Sequence, residues 1–295
     1  MHVDFSLVVL TYRRDDILPR QFRTLGRVCR GHAAEIVLVD NNPDVRDRSP
    51  RQNPGVPVHV VKPGRNLGVA AGRNRGAGRA SGRWLVFVDD DALLAGADPL
   101  GVVAEHFGDP AGPGILAFRS LLGDSGRMDR KEFPHTDKRR DPRRPFDTFR
   151  FIGVGFAVRR AVFEAVGGFC EDFFYAMEEF DFAYRAIQAG FRIRYEPRIV
   201  VRHYRHAAGR LEPAERYRRY WVNKMKVNYR NLPARYLWGA AVPWSAYVLW
   251  RAGPRALWAA VGDFLRWRRS AAAQRHVLDA RAMRYLRRVG AGLYR

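Results

Sequence analysis

The chain is poor in cysteine: Cys29 and Cys170 are its only two in 295 residues. That is too few for a disulfide framework or a cysteine-based metal site, and it fits a reducing compartment. Lysine is scarce as well, because nearly all of the basic residues are arginine. No stretch reaches the roughly 18–20 apolar residues that a transmembrane helix needs. The nearest, Leu237–Trp250, is shorter and is interrupted by Pro243. The opening Met1-His2-Val3-Asp4 has no basic flank, and the apolar run after it stops at a polar turn beyond Leu10, so it reads as a first strand and not as a signal peptide. The dinucleotide spacing G-x-G-x-x-G is missing, and no hydride chemistry is suggested. There is no internal repeat.

What is present is a hydrophobic fraction of 47%, which suits a globular core and excludes wholesale disorder. The length accommodates one large α/β domain with an appendage, or two ordinary domains. The formal net charge of +22 favours polyanionic partners: nucleic acid, anionic lipid headgroups or phosphorylated small molecules. An arginine-rich proteome would produce part of the same excess.

Strand-like and helix-like stretches alternate from the start. Phe5–Leu10 is an apolar run, followed by a polar helix candidate over 15–28, then Glu35–Val39, Val56–Val61, a Gly/Ala-rich helix over 68–80, and Trp84–Val88. Continuous runs of this length suit strands buried on both faces, and their alternation with helices predicts a doubly wound sheet. Ligands of such sheets sit at the carboxyl ends of the strands. Polar residues cluster at those ends: Thr11-Tyr12-Arg13, Asp40-Asn41-Asn42 and Asp89-Asp90-Asp91. Residues 120–150 dissolve into charge, Pro and Gly and read as a long mobile loop. Order resumes at Phe151–Val158, a helix near Glu179–Gln188, and short strands at Arg192–Tyr195 and Ile199–Val201. Beyond about 205, aromatics and arginines interleave at helical spacing.

Three consecutive aspartates raise one another's pKa unless a cation sits among them. Alternate residues of an extended segment point the same way, which would put Asp89 and Asp91 on one face and Asp90 elsewhere. Carboxylates suit Mg²⁺ or Mn²⁺, which also take water and phosphate oxygens; a solvated loop or a helix cap is the plainer alternative. Gly72 and Gly76 share a helical face and allow close approach to the sheet, and Gly68 could let amides at the helix start face an anion. Glu178, Glu179 and Asp181 open a later helix. Asp181 and Arg185 form an i,i+4 pair, while Glu179 faces another direction, since it lies about 200° around the helix at roughly 100° per residue.

Taken in order, Val8 to Arg13, Val39 to Asn42, Asn66 to Ala70 with Arg73-Asn74, and Phe87 to Asp91 resemble the successive motifs of family 2 glycosyltransferases. The resemblance continues through Gly153–Val158, Gly167-Gly168-Phe169 and Glu178 to Asp181, and ends near His203, so it covers roughly the first 205 residues. One departure is Cys170-Glu171, where the family usually shows Asp-Glu.

The resemblance implies a GT-A fold, a Rossmann-like mixed sheet flanked by helices, and usually inversion at the anomeric carbon. It divides the chain into a catalytic domain over 1–205, with a nucleotide half to about 95 and an acceptor half after it, and a helical extension over 206–295. It makes the aspartates a DXD motif, with Asp91 the direct ligand of Mn²⁺ or Mg²⁺, Asp89 or Asp90 near the ribose or an outer water, and His203 completing the metal site. Asp89 is also a candidate metal ligand. It makes Asp40 the partner of a uracil or thymine imide N–H, which an acceptor-only carboxylate matches. Thr11, Tyr12, Arg13, Asn42, Asn66, Gly68, Arg73 and Asn74 join Asp40, Asp89 and Asp90 around a UDP- or dTDP-sugar. Glu179 becomes the general base, with Glu178 the alternate.

The tail resembles, more loosely, those of family members acting on lipid-linked or cell-envelope glycans. Trp and Arg together suit a membrane interface, which would place the protein in the cytoplasm at the inner face of the membrane; a helical cap packed on the core is the alternative. No nucleic-acid motif accompanies the basic patches. The acceptor class stays open among glycan, glycolipid and small molecule, including a natural product, and a nucleotide-sugar binder without turnover is the non-enzyme alternative. The oligomeric state is not legible.

Overall fold

A computed structural model gives the fold and describes residues 2–44, 46–50, 53–209 and 211–294. The first half is β1 (Phe5–Thr11), α1 (Leu18–Val28), β2 (Ala34–Asp40), β3 (Val58–Val61), α2 (Gly68–Arg79) and β4 (Trp84–Asp89). β1 pairs in parallel with both β2 and β4, and β2 pairs in parallel with β3. Every residue of β2 and nearly every residue of β1 is buried, which is why these strands are continuous apolar runs. Leu7 and Val9 face a core shared with α1, while Val8 faces one shared with α2. The helix expected over 15–28 starts later, at Leu18, because Pro19 sets its first turn.

β5 (Ala92–Ala95), α3 (Pro99–Gly108), β6 (Ile115–Leu122), β7 (Phe146–Thr148), β8 (Gly155–Arg159), α4 (Arg160–Ala165), α5 (Glu178–Gln188) and β9 (Ile193–His203) follow. Among the described residues these complete a nine-stranded mixed sheet in the order β3-β2-β1-β4-β8-β6-β9-β5, with β7 paired to β9. The two short strands expected near 192–201 are one long strand whose register slips opposite Phe118 and Arg119. A bulge of this kind lets one strand pass a Pro, here Pro197.

Residues 120–150 differ from the expected mobile loop. Phe133 and Phe149 are buried in the core, the Thr148 hydroxyl bonds the Pro134 carbonyl, and His135 Nε2 meets the Val289 carbonyl at 2.8 Å. The polar sequence hid a few apolar anchors set far apart.

The chain closes with α6 (Pro213–Asn231), α7 (Ala234–Arg268) and α8 (Ala280–Arg288). Val227, Leu232, Met283 and Leu286 share a core with Phe151 and Phe182, while Trp221, Val248 and Phe264 pack in a separate cluster between α6 and α7. α7 breaks at Gly253, whose φ of 80° and following Pro254 interrupt the ladder. Among the described residues no helix is long and apolar enough to cross a membrane.

Candidate active site

The parallel register brings the ends of β1 and β2 side by side, with Thr11 opposite Asp40. Asp40 is fully buried. Its Oδ1 accepts from the Asn42 amide at 3.1 Å and from Asn42 Nδ2 at 2.7 Å, and Asn42 Oδ1 in turn accepts from the Arg13 backbone N–H at 2.9 Å. Its Oδ2 accepts from Arg48 Nη1 at 3.1 Å. Arg48, which the sequence did not single out, is also held by Asp15 and Asp44, so its guanidinium covers the carboxylate expected to meet a nucleobase. A cavity of about 930 Å³ opens beside it, lined by Asp15, Phe22, Arg23, Arg27 and Arg46 among others. Tyr12 is half-buried and Arg13 exposed, at a φ of 56°.

β4 ends at Asp89, and Asp90-Asp91 form the turn into β5. The turn overrides simple alternation. Asp90 and Asp91 converge on one cation, Arg14 Nη1, at 2.6 and 2.9 Å, whereas Asp89 turns toward Arg73 Nη2 at 3.3 Å. Burial raises the Asp90 carboxyl to about 7, with Arg14 opposing and Asp91 adding to the shift. The Thr11 hydroxyl lies against this carboxyl. Burial would raise Asp91 too, but His203 and Arg14 outweigh it and hold it below the ordinary value.

His203, at the end of β9, points Nε2 at Asp91 Oδ1, 3.4 Å away, while Nδ1 donates to Glu132 Oε1 at 2.9 Å. Burial alone would lower this imidazole, yet its bonds to Asp91 and Glu132 raise it to about 9. Glu132 is a second site residue that sequence reasoning missed, since it sits in the segment taken for a loop. His206, a few residues on, places its ring against Asp16 at 3.0 Å and its backbone N–H on Asp91 Oδ2 at 3.0 Å.

Arg73 joins the two acidic clusters. It is wholly buried: Nη1 donates to Glu178 Oε1 at 2.8 Å, and Nη2 to Asp89 and to the Gly153 carbonyl at 2.9 Å. Its contacts within the protein are two carboxylates and one backbone carbonyl. Glu178 is buried, and burial together with neighbouring Glu179 pushes its carboxyl up, with Arg73 opposing. Glu179 is half-buried and accepts from the Gly153 backbone N–H at 3.1 Å. Arg150 lies near Glu179, its guanidinium lowered by burial and partly restored by that carboxylate. Asp181 turns away, held by Arg185 at 2.9 Å and by Asn231 at 3.0 Å.

The residues before α5 are strained. Ala176 and Met177 both have positive φ, 65° and 69°. Asn223 on α6 holds this turn, donating Nδ2 to the Tyr175 and Ala176 carbonyls at 2.8 and 2.9 Å. Polar side chains on α6 facing the carbonyls of another segment leave no short-range signal in sequence.

Three of the residues expected around the nucleotide have partners within the protein. Asn66 Oδ1 accepts from the Gly68 N–H at 2.9 Å, and the Val69 N–H goes to the Phe174 carbonyl at 2.8 Å, so these leading amides of α2 do not face an open site. Gly68 is required there for another reason: its φ is 78°, and a Cβ would collide with Phe174. Asn74 grips the Phe169 peptide at both ends, each at 2.8 Å, and thereby fixes the Gly167-Gly168 turn. Gly72 and Gly76 lie against Leu10 and Val8, the close approach their spacing predicts.

The donor set fits a hard divalent cation in one specific way. Asp91 Oδ1 and His203 Nε2 face each other, and Glu132 orients the imidazole as ligating histidines require. Among the described residues no group of three or more His, Cys, Asp or Glu side chains converges in a metal-holding arrangement. Two protein donors suit Mg²⁺ or Mn²⁺, which fill their remaining positions with water and substrate phosphate.

The sequence profile of glycosyl transferase family 2 matches residues 6–167. The pre-mycofactocin glycosyltransferase of Mycobacterium tuberculosis is 29% identical over 153 residues, which are 50% of this chain and 32% of that protein. The match therefore spans about a third of that relative's length. Among solved structures, the Pyrobaculum calidifontis mannosyltransferase PcManGT, in complex with GDP-Man and Mn²⁺, superposes with a TM-score of 0.57 at 18% identity, covering 98% of this chain and 79% of that one. Residues 1–349 of TarS from S. aureus, in complex with UDP-GlcNAc, give 0.55 at 14% identity, covering 99% and 89%. These neighbours show the fold, which is GT-A. With the profile matching more than half of the chain, and its motifs at the carboxyl ends of the strands, the protein belongs to glycosyl transferase family 2.

Proposed function

We propose that the protein transfers a sugar from a nucleoside diphosphate to an acceptor hydroxyl, with inversion at the anomeric carbon. The observation that carries the reading is an unbroken chain of contacts. It runs from Asp40 through Asn42, Arg13 and Arg14 to Asp90 and Asp91, and from Asp89 through Arg73 to the Glu178-Glu179 pair. The carboxylates expected to meet a nucleobase, a cation and an acceptor hydroxyl thus lie toward one end of the sheet.

Glu179 is the general base. It is the member of the acid pair that reaches solvent, whereas Glu178 is committed to Arg73. Glu179 takes the proton of the acceptor hydroxyl, that oxygen bonds to the anomeric carbon, and the glycosidic bond to the phosphate breaks with its electron pair leaving on the nucleoside diphosphate. A divalent cation, Mn²⁺ or Mg²⁺, held by Asp91 and His203 would stabilise the negative charge on the departing phosphate. Asp40, once Arg48 releases it, accepts a base N–H; a UDP- or dTDP-sugar offers the matching imide.

The acceptor belongs to cell-envelope glycan or glycolipid synthesis at a membrane surface. What supports this is α7, where Trp238, Trp250 and Trp258 are 70%, 75% and 76% exposed beside Arg235, Arg251 and Arg255.

The test is nucleotide-sugar transfer by purified Glu179→Gln. Turnover should fall by about 10²–10⁴-fold, with UDP and Mn²⁺ binding retained in calorimetry. A variant with wild-type turnover would refute the assignment.

A further inference from the structure

We propose that Arg14 is a built-in counter-cation that offsets part of the charge of the Asp90-Asp91 pair until a nucleoside diphosphate arrives, so that a divalent metal binds tightly only together with the nucleotide. The inference rests on the glycosyltransferase reading above and adds to it an order of loading.

The Arg14 side chain is 17% exposed and gripped on every side. Nη1 serves both aspartates, Nε donates to the Ala208 carbonyl at 2.9 Å, and Nη2 to the His206 carbonyl at 3.4 Å. From its own place just after β1 it is therefore fixed by two other segments, the aspartate turn and the stretch after β9. The carboxylate it holds through Asp91 Oδ2 is the same one whose Oδ1 faces His203. A divalent cation entering between Asp91 and His203 would stand one carboxylate away from a fixed positive charge, and like charges repel at that range.

The protein brings two donors, Asp91 and His203, and one of them is already shared with a guanidinium. A nucleoside diphosphate changes both terms. Its oxygens fill the cation's open positions, and its negative charge offsets Arg14. Metal and nucleotide then favour one another, and by linkage each raises the other's affinity by the same factor. When the nucleoside diphosphate leaves after transfer, the cation leaves with it.

The experiment is a titration of the whole chain with Mn²⁺, reading free Mn²⁺ by electron paramagnetic resonance, without nucleotide and with saturating UDP, dTDP or GDP. Wild-type protein should bind Mn²⁺ about tenfold or more tightly with the preferred nucleotide than without it. Arg14→Gln should tighten Mn²⁺ binding without nucleotide by about tenfold and narrow that ratio, whereas Arg14→Lys, which keeps the charge, should stay as weak as wild type. Equal nucleotide-free affinities of wild type and a folded Arg14→Gln overturn the proposal, as does an Arg14→Lys that behaves like the Gln variant. Should Arg14→Gln not fold, the wild-type ratio decides, and a ratio near one overturns the proposal. Absence of binding of all three nucleotides by wild-type protein overturns the transferase reading itself, a result separate from the other failures.

Discussion

Asn74, expected beside the nucleotide, has a structural duty in the fold. Its amide meets the Phe169 peptide at both its oxygen and its nitrogen, which locks the two-glycine turn behind Phe169. Asn74→Ala should therefore lower stability by about 1–3 kcal/mol in urea unfolding, with nucleotide affinity unchanged in calorimetry. A weaker nucleotide affinity without loss of stability would return Asn74 to the nucleotide site. The acids were legible in the sequence because they fall, in order and at the right spacing, in motifs that resemble those of the family. Arg14, Arg48 and Glu132 were not legible: Arg14 and Glu132 act through partners remote in the chain, Asp90 and His203, and Arg48 acts through Asp40 from within an irregular loop. In a chain rich in arginine, no sequence pattern separates these two guanidiniums from the many at the surface.

Among the elements, the strands were the readable part, since burial on both faces writes itself as an apolar run. The later helices were readable as helices but not as neighbours of the site. α6 reaches the strained turn before α5 through Asn223, and reaches Asp172 through Arg230 at 3.0 Å and Lys226 at 3.3 Å. Asn223→Ala leaves two carbonyls without a partner and lets Ala176 and Met177 relax from positive φ. Turnover should fall by about tenfold, because the proposed base Glu179 is displaced, while nucleotide binding stays near wild type; unchanged turnover would show that α6 has no hold on Glu179. A second link between elements gives a pH dependence. Burial would raise Glu196 on β9, but hydrogen bonds from His106 on α3 and from Arg198 bring it down to about 2. Its folded value lies below the unfolded one of about 4.3, so the stabilisation is present above that pH and is lost as pH falls toward 2. In acid titrations of thermal stability, Glu196→Gln should start less stable at neutral pH and decline less steeply than wild type through that window.

Over the whole molecule, two kinds of surface meet. The catalytic end of the sheet gathers carboxylates, while α7 turns tryptophan and arginine outward. Trp250→Ala with Trp258→Ala should reduce sedimentation with vesicles containing anionic lipid severalfold, since each ring loses interfacial burial, and should leave the melting temperature unchanged because these rings are exposed. Equal sedimentation would make α7 a solvent-facing cap. Arg73 carries a different lesson about the design of this protein. Because one guanidinium serves both Asp89 and Glu178, which the proposed reading puts on the donor and acceptor sides, that reading predicts that the two halves of the site cannot be remodelled one at a time. An engineer altering donor preference at Asp89 should find acceptor chemistry drifting as well, and useful variants should come as compensating pairs spanning β4 and α5.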